Sequence, residues 1–115
     1  MEKEKQSVVN ITSDKMGRGD DDLGGILMQS FVNTLIKLDP IPSKIIFYNS
    51  AVTLCIESSP VVDSLKELEN KGVELLICGT CADFFDIKDK IGAGTISNMY
   101  TILETLNSAD RVITP

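Results

Sequence analysis

The chain contains no histidine and no tryptophan, and aromatic residues make up only 5% of it. Without imidazole there is no ordinarily built Ser-His-Asp or Cys-His catalytic system and no histidine-ligated metal site. With so few rings the core must be aliphatic, assembled from Ile, Leu and Val. Positive charge is also short: 11 Lys and Arg face 17 Asp and Glu, for a net charge of −6. That balance argues against a nucleic-acid partner, which is held through clustered Lys and Arg. The one basic concentration, Glu2-Lys3-Glu4-Lys5, is cancelled by its own acids. No apolar run approaches the ~20 residues of a membrane-spanning helix. The charged N-terminus is not followed by the apolar core of a signal peptide. No membrane partner is expected, and a cytoplasmic location follows. Three cysteines in such a chain read as reduced thiols rather than as a disulfide framework.

What is present is a chain of 115 residues, 43% hydrophobic and 24% charged, the profile of one compact domain. Residues 1–6 form a polar lead-in, expected to be loose, and residues 7–115 the single domain. Ser7 to Ser13 reads as a first, central strand. A loop holding Gly17 and Gly19 then leads to Asp20, Asp21 and Asp22, which cap and charge the start of a helix from about Asp21 to Leu38. Leu23, Ile26, Leu27, Phe31, Leu35 and Leu38 share one face at helical spacing, and Met28, Val32 and Ile36 add a second apolar row. That arc is wider than one sheet face needs. Either part of it meets another subunit, or the helix is buried deeply in its own domain.

Pro40 and Pro42 end that helix, and Lys44 to Asn49 is a second buried strand. Ser59-Pro60 opens a helix with Val61, Val62, Leu65 and Leu68 inward, and Gly72 closes it. Val73 to Ile77 is a third buried strand. Asp86 to Ile91 is helical or irregular, and Gly92 to Ile96 a short strand. Ser97 is placed to cap a last helix with Met99, Ile102, Leu103 and Leu106 on one stripe, before a final strand from Arg111 to Thr114. Strands alternating with amphipathic helices mean right-handed βαβ units. The expected fold is α/β: a three-layer α/β/α domain on a mostly parallel sheet of about five strands.

In such folds ligands bind beyond the carboxyl ends of the strands, near a reversal of strand order. Ser13 and Asp14, Asn49 and Ser50, Cys78 to Cys81, and Ser97 with Asn98 are delivered to that edge. The run Cys78-Gly79-Thr80-Cys81 carries the chemistry, a Cys-x-x-Cys at a strand-to-helix junction. Thr80 with Asp83 resembles a capping box, which sets Cys81 in a first helical turn. Free N–H groups and partial positive charge there favour its thiolate. As a redox pair the two sulfurs would cycle through a disulfide. As a sulfur carrier, one thiolate would hold a sulfane sulfur and the other release it. A metal site would have two sulfurs, or three with Cys55, short of the four of a closed structural zinc site, and no metal is assigned. Two small packed thiols are the remaining reading.

The catalytic candidates are thus Cys78 and Cys81, with Ser13, Asp14, Asn49, Gly79, Thr80 and Asn98 lining the site. Cys55, between Leu54 and Ile56, reads as packed. Gly17-Arg18-Gly19 matches neither a P-loop nor Gly-x-Gly-x-x-Gly, and Asp20 to Asp22 would repel a phosphate. No cofactor is expected.

Four segments together bring a family into view: Met16-Gly17-Arg18-Gly19-Asp20-Asp21-Asp22-Leu23-Gly24, Phe47-Tyr48-Asn49-Ser50-Ala51-Val52, Leu76-Ile77-Cys78-Gly79-Thr80-Cys81 and Ile96-Ser97-Asn98-Met99-Tyr100. They resemble the DsrE/DsrF-like superfamily, and within it the carboxyl-terminal domain of YedF-type sulfurtransferase-like proteins associated with selenium metabolism. The resemblance spans about Val8 to Thr114. It implies a parallel α/β/α domain, assembly into homo- or hetero-oligomers, and sulfur relay through a cysteine after the third strand. Its partners would be proteins that donate or accept sulfur or selenium. By register, the resemblance makes Cys78 the sulfur-accepting thiol and Cys81 an extra thiol of some branches, whereas the helix start favours Cys81. YedF-type proteins usually carry a preceding domain with a Cys-Pro motif, and no Cys-Pro occurs here. The chain is therefore expected to be an excised domain or a standalone form, and in the first case the missing domain is a candidate donor. The expected function is a persulfide or selenosulfide carrier. The alternatives are an oligomeric binding scaffold with structural thiols and a dithiol oxidoreductase.

Overall fold

A computed structural model describes residues 6–115. Five short strands form one wholly parallel sheet in the order β4-β3-β2-β1-β5. They are β1 (Ser7–Ile11), β2 (Lys44–Phe47), β3 (Glu74–Cys78), β4 (Thr95–Ser97) and β5 (Arg111–Ile113). The helices are α1 (Asp21–Leu35), α2 (Val62–Asn70), α3 (Gly79–Phe84) and α4 (Met99–Ser108), with 3₁₀ turns at Asn49–Cys55 and Lys88–Lys90. The expected loose lead-in lies outside the described residues except for Gln6. That residue is tied down: its N–H donates to Asp110 Oδ2 at 2.7 Å. Its carbonyl accepts from the N–H groups of Asp110 and Arg111.

Successive strand side chains point to opposite faces, so each buried run divides into two sets. Val9, Ile11, Ile45, Phe47, Leu75 and Ile77 form the larger core with Met28, Val32 and Leu35 of α1 and with Val62, Leu65 and Leu68 of α2. Val8, Ile46, Leu76 and Cys78 turn the other way and meet Ile102 of α4. Two layers of helix thus enclose the sheet, with the second face covered by one helix.

Helix ends follow local chemistry with three departures from expectation. The first is at α2: it opens at Val62 with Val61 in the N-cap position, and Ser59-Pro60 forms a turn ahead of it, with Ser59 Oγ accepting from Val61 N–H at 3.2 Å. Asp20 Oδ1 accepts from Leu23 N–H at 2.9 Å and caps α1. The α1 row that faces the sheet is Gly24, Met28, Val32 and Leu35, and the helix stops at Leu35 instead of Leu38. The other row stays outside: Leu23, Ile26, Leu27 and Leu38 are all exposed. The cap of α4 is Asn98 rather than Ser97, because Asn98 Oδ1 accepts from Thr101 N–H at 2.9 Å while Ser97 ends β4. Of the stripe expected on α4, Ile102 is buried, whereas Met99 and Leu103 face outward.

From β1 through β4 the chain steps one way across the sheet, and α4 then carries it back to place β5 beyond β1. The connection leaving β3 packs Ala82 of α3 in the larger core. The connection leaving the adjacent β4 becomes the helix on the opposite face. Neighbouring loops that part to opposite faces open a crevice at the carboxyl edge of the sheet.

Candidate functional site

The two thiols of the Cys-x-x-Cys stand at that parting of loops. Cys78 is the last residue of β3, in register with Ser97 of β4. The alternation that sends Leu76 to the second face sends Cys78 there too, into the cluster with Val8, Ile46 and Ile102, and it is 3% exposed. Cys81 comes one helical turn later, within α3. It is half-buried, touches both cores, and opens into a depression of about 340 Å³ lined by Asn49, Thr80, Cys81, Phe84 and Phe85.

The Asn49 N–H donates to Cys81 Sγ at 3.1 Å. Asn49 takes a φ of 55° where β2 turns into the 3₁₀ segment, a conformation Asn accepts more readily than most residues. Phe84 and Phe85 wall the depression, with ring centroids 5.3 Å apart and an interplanar angle of 82°. Phe84 is 82% exposed, an unusual position for a ring in a chain so poor in them.

The expected low-pKa thiolate at Cys81 is not what the site provides. Burial pushes its pKa up, and the Cys78 thiol, through a hydrogen bond and through its charge, pushes it further; the Asn49 N–H pulls the other way. The capping box is absent as well. Cys78 occupies the N-cap position without a side-chain cap, and Thr80 is already the second residue of α3. Asp83 pairs with Lys88 Nζ at 3.0 Å instead of reaching back. A helix of six residues also aligns few peptide dipoles.

The remaining candidates separate into distinct places. Ser13, Asp14 and Ser50 form their own network at the end of β1. Asp14 N–H donates to Ser50 Oγ at 3.1 Å, Lys15 N–H to Ser13 Oγ at 3.1 Å, and the two hydroxyls lie 3.5 Å apart. None of the three lines the depression at Cys81. Asn98 is occupied as the α4 cap. Gly79 sits between the thiols with its α-carbon pressed against β4: a Cβ there would lie 3.0 Å from the Ser97 carbonyl oxygen. Cys55 is fully buried, and burial together with the nearby Glu69 charge drives its pKa far up.

Three neighbours of the thiols were not among the sequence candidates. Phe84 and Phe85 had a signal, as adjacent rings immediately after the motif. Tyr48 packs with Cys78 and Cys81 on the second face, and its hydroxyl accepts from Asn10 Nδ2 at 3.3 Å. The other amide atom of Asn10, Oδ1, is buried without a hydrogen-bond partner among the described residues.

The model of the DsrE/DsrF-like family matches residues 26–115. Among solved structures, the ychN protein from E. coli superposes with a TM-score of 0.74 at 17% identity, covering 97% of this chain and 100% of that one. MTH1491 from Methanobacterium thermoautotrophicum, described as a protein of unknown function, gives 0.70 at 19% identity over 97% and 100% of the two chains. BT1422 from Bacteroides thetaiotaomicron, a conserved protein of unknown function, gives 0.65 at 15% identity over 96% and 95%. At these identities the likeness establishes the fold. Among curated proteins none matches the chain.

Proposed function

The chain belongs to the DsrE/DsrF-like family, and from that membership and its paired thiols we propose that it is a sulfur carrier, holding sulfane sulfur as a persulfide between a donor and an acceptor. The observation that carries this reading is Cys81 Sγ: it opens into an aromatic-walled depression, accepts a backbone N–H, and has a second thiol beside it. A carrier needs no acid–base residue of its own. It needs a sulfur that can be approached, a donor group to steady the sulfur when charged, and shelter from water for the loaded form. Selenium would be carried by the same atoms as a selenosulfide.

The donor and acceptor would be proteins in a reducing cytosolic setting. The outward α1 row of Leu23, Ile26, Leu27 and Leu38 supports assembly with further subunits. To test the function, the protein is incubated with a cysteine desulfurase and cysteine, and intact masses are taken. Gain of one sulfur that is lost on reduction is the expected result, and the absence of both sulfur gain and protein-dependent sulfide release refutes the carrier. A competing reading, an oligomeric scaffold with packed thiols, draws on the burial of Cys78. In that case a Cys78→Ser, Cys81→Ser double variant would bind its partners and serve the cell unchanged.

A further inference from the structure

We propose that the two thiols divide the work, Cys81 taking up the sulfur and Cys78 expelling it, an order opposite to that implied by the family register. The proposal rests on the carrier reading and adds the direction of transfer within the pair. Exchange at sulfur proceeds with the attacking, central and leaving sulfurs in line, so the attacking thiol must face open space along that line. Cys81 faces such space, the depression between Asn49 and Phe84. Cys78 does not: it is 3% exposed and clustered with Val8, Ile46, Leu76 and Ile102, with Cys81 packed against that cluster. A donor sulfur therefore reaches Cys81 first, and the one sulfur Cys78 can attack without movement of α4 is that of Cys81.

The steps balance as follows. In loading, Cys81 gives up its proton and attacks the outer sulfur of a donor persulfide. The donor S–S bond breaks, an S–S bond forms on Cys81, and the donor leaves as a thiol carrying that proton. With an acceptor thiol in the depression, the same exchange runs onward to it. With no acceptor, Cys78 attacks Cys81 Sγ. The Cys81 persulfide bond breaks, a Cys78–Cys81 disulfide forms, and the outer sulfur departs with the Cys78 proton as hydrogen sulfide. Two thiols are oxidised and the sulfane sulfur is reduced, so a dithiol reductant must then reset the pair. The Asn49 N–H, already on Cys81 Sγ, steadies the charge whenever that sulfur acts as attacker or leaving group.

The test loads the wild type, Cys78→Ala and Cys81→Ala with a cysteine desulfurase and cysteine, removes the donor, and follows mass and released sulfide. The position of the persulfide in the wild type is mapped by alkylation, digestion and tandem mass spectrometry, which needs no variant to fold. Expected results are a persulfide on Cys81 in the wild type, no loading of Cys81→Ala, and a long-lived persulfide on Cys78→Ala. The loaded wild type, left without an acceptor, should release sulfide and end two hydrogens lighter than the reduced chain. A persulfide mapped to Cys78, with Cys81→Ala loading normally, overturns the assignment and leaves the carrier reading standing. Loading at Cys81 with no disulfide and no sulfide release overturns the role of Cys78. No uptake by the wild type overturns both the assignment and the carrier.

Discussion

Replacing Gly79 by alanine measures how closely the thiol junction is fitted to the edge of the sheet. The added Cβ would stand 3.0 Å from the Ser97 carbonyl oxygen and 3.3 Å from Ile96 Cγ2. Ser97 is held in register with Cys78, so its carbonyl yields only if β4 shifts against β3. Overpacking of this kind costs about 1–3 kcal/mol. Alanine in a helix in place of glycine returns about 0.5–1 kcal/mol. The net expectation runs from about no change to a loss of about 2.5 kcal/mol, which leaves Gly79→Ala about 1–3 kcal/mol behind an alanine that meets no neighbour. Gly25, in α1, supplies the control, because a Cβ there meets nothing within 4 Å. Gly25→Ala should therefore stabilise by about 0.5–1 kcal/mol from conformational entropy alone. Urea unfolding of the three proteins, read by linear extrapolation, gives the comparison directly. If Gly79→Ala gains as much stability as Gly25→Ala, the contact with β4 is not tight and the junction is free to move.

Two further outcomes follow from the burial of the thiols. Because burial and the Cys78 thiol raise the pKa of Cys81, its alkylation rate should go on climbing with pH beyond about 8.5, where an unperturbed thiol reaches its midpoint. Cys78→Ala removes two of the raising causes and should bring that midpoint down; a wild-type midpoint at or below the ordinary value contradicts the geometry. Ile102→Ala should cost about 2–5 kcal/mol, since Ile102 is 1% exposed and is the large α4 side chain filling the second face. It should also expose Cys78 to iodoacetamide in native buffer, and unchanged Cys78 protection would show that something other than α4 shields it.

The parallel α/β/α architecture was legible because strand and helix periods alternate cleanly, and because Asp20 and Gly72 punctuate where a cap or turn is required. Errors gathered where two residues compete for one role. Ser97 and Asn98 are adjacent potential caps, and only the length of β4, which takes Ser97 as its last residue, decides for Asn98. Thr80 and Asp83 have capping-box spacing, but α3 starts at Gly79, which places Thr80 inside the helix. In α1 both apolar rows have helical spacing. The inner row contains Gly24, whose missing side chain lets the helix lie against the Met16 loop, where a Cβ would come within 3.0 Å of Lys15 Cβ. Hydrophobicity alone ranks the rows the other way, because Leu and Ile outweigh Gly and Val.

The unequal exposure of the two cysteines has a single origin, which lies outside the motif itself. Apart from the exposed Glu74, Val73 to Ile77 is apolar on both faces, so its period does not reveal what covers Cys78. That is settled by α4. The steps from β1 to β4 all run one way across the sheet, and right-handed crossovers put their helices on one face. The return from β4 to β5 runs the opposite way, and the same handedness sends its helix to the other face, over Leu76 and Cys78. Cys81, a turn further on within α3, has rotated away from that cover toward the loop edge. One buried and one reachable sulfur are thus a consequence of strand order, and a circular permutation that altered the β4-to-β5 return would be expected to expose Cys78 while leaving Cys81 where it is.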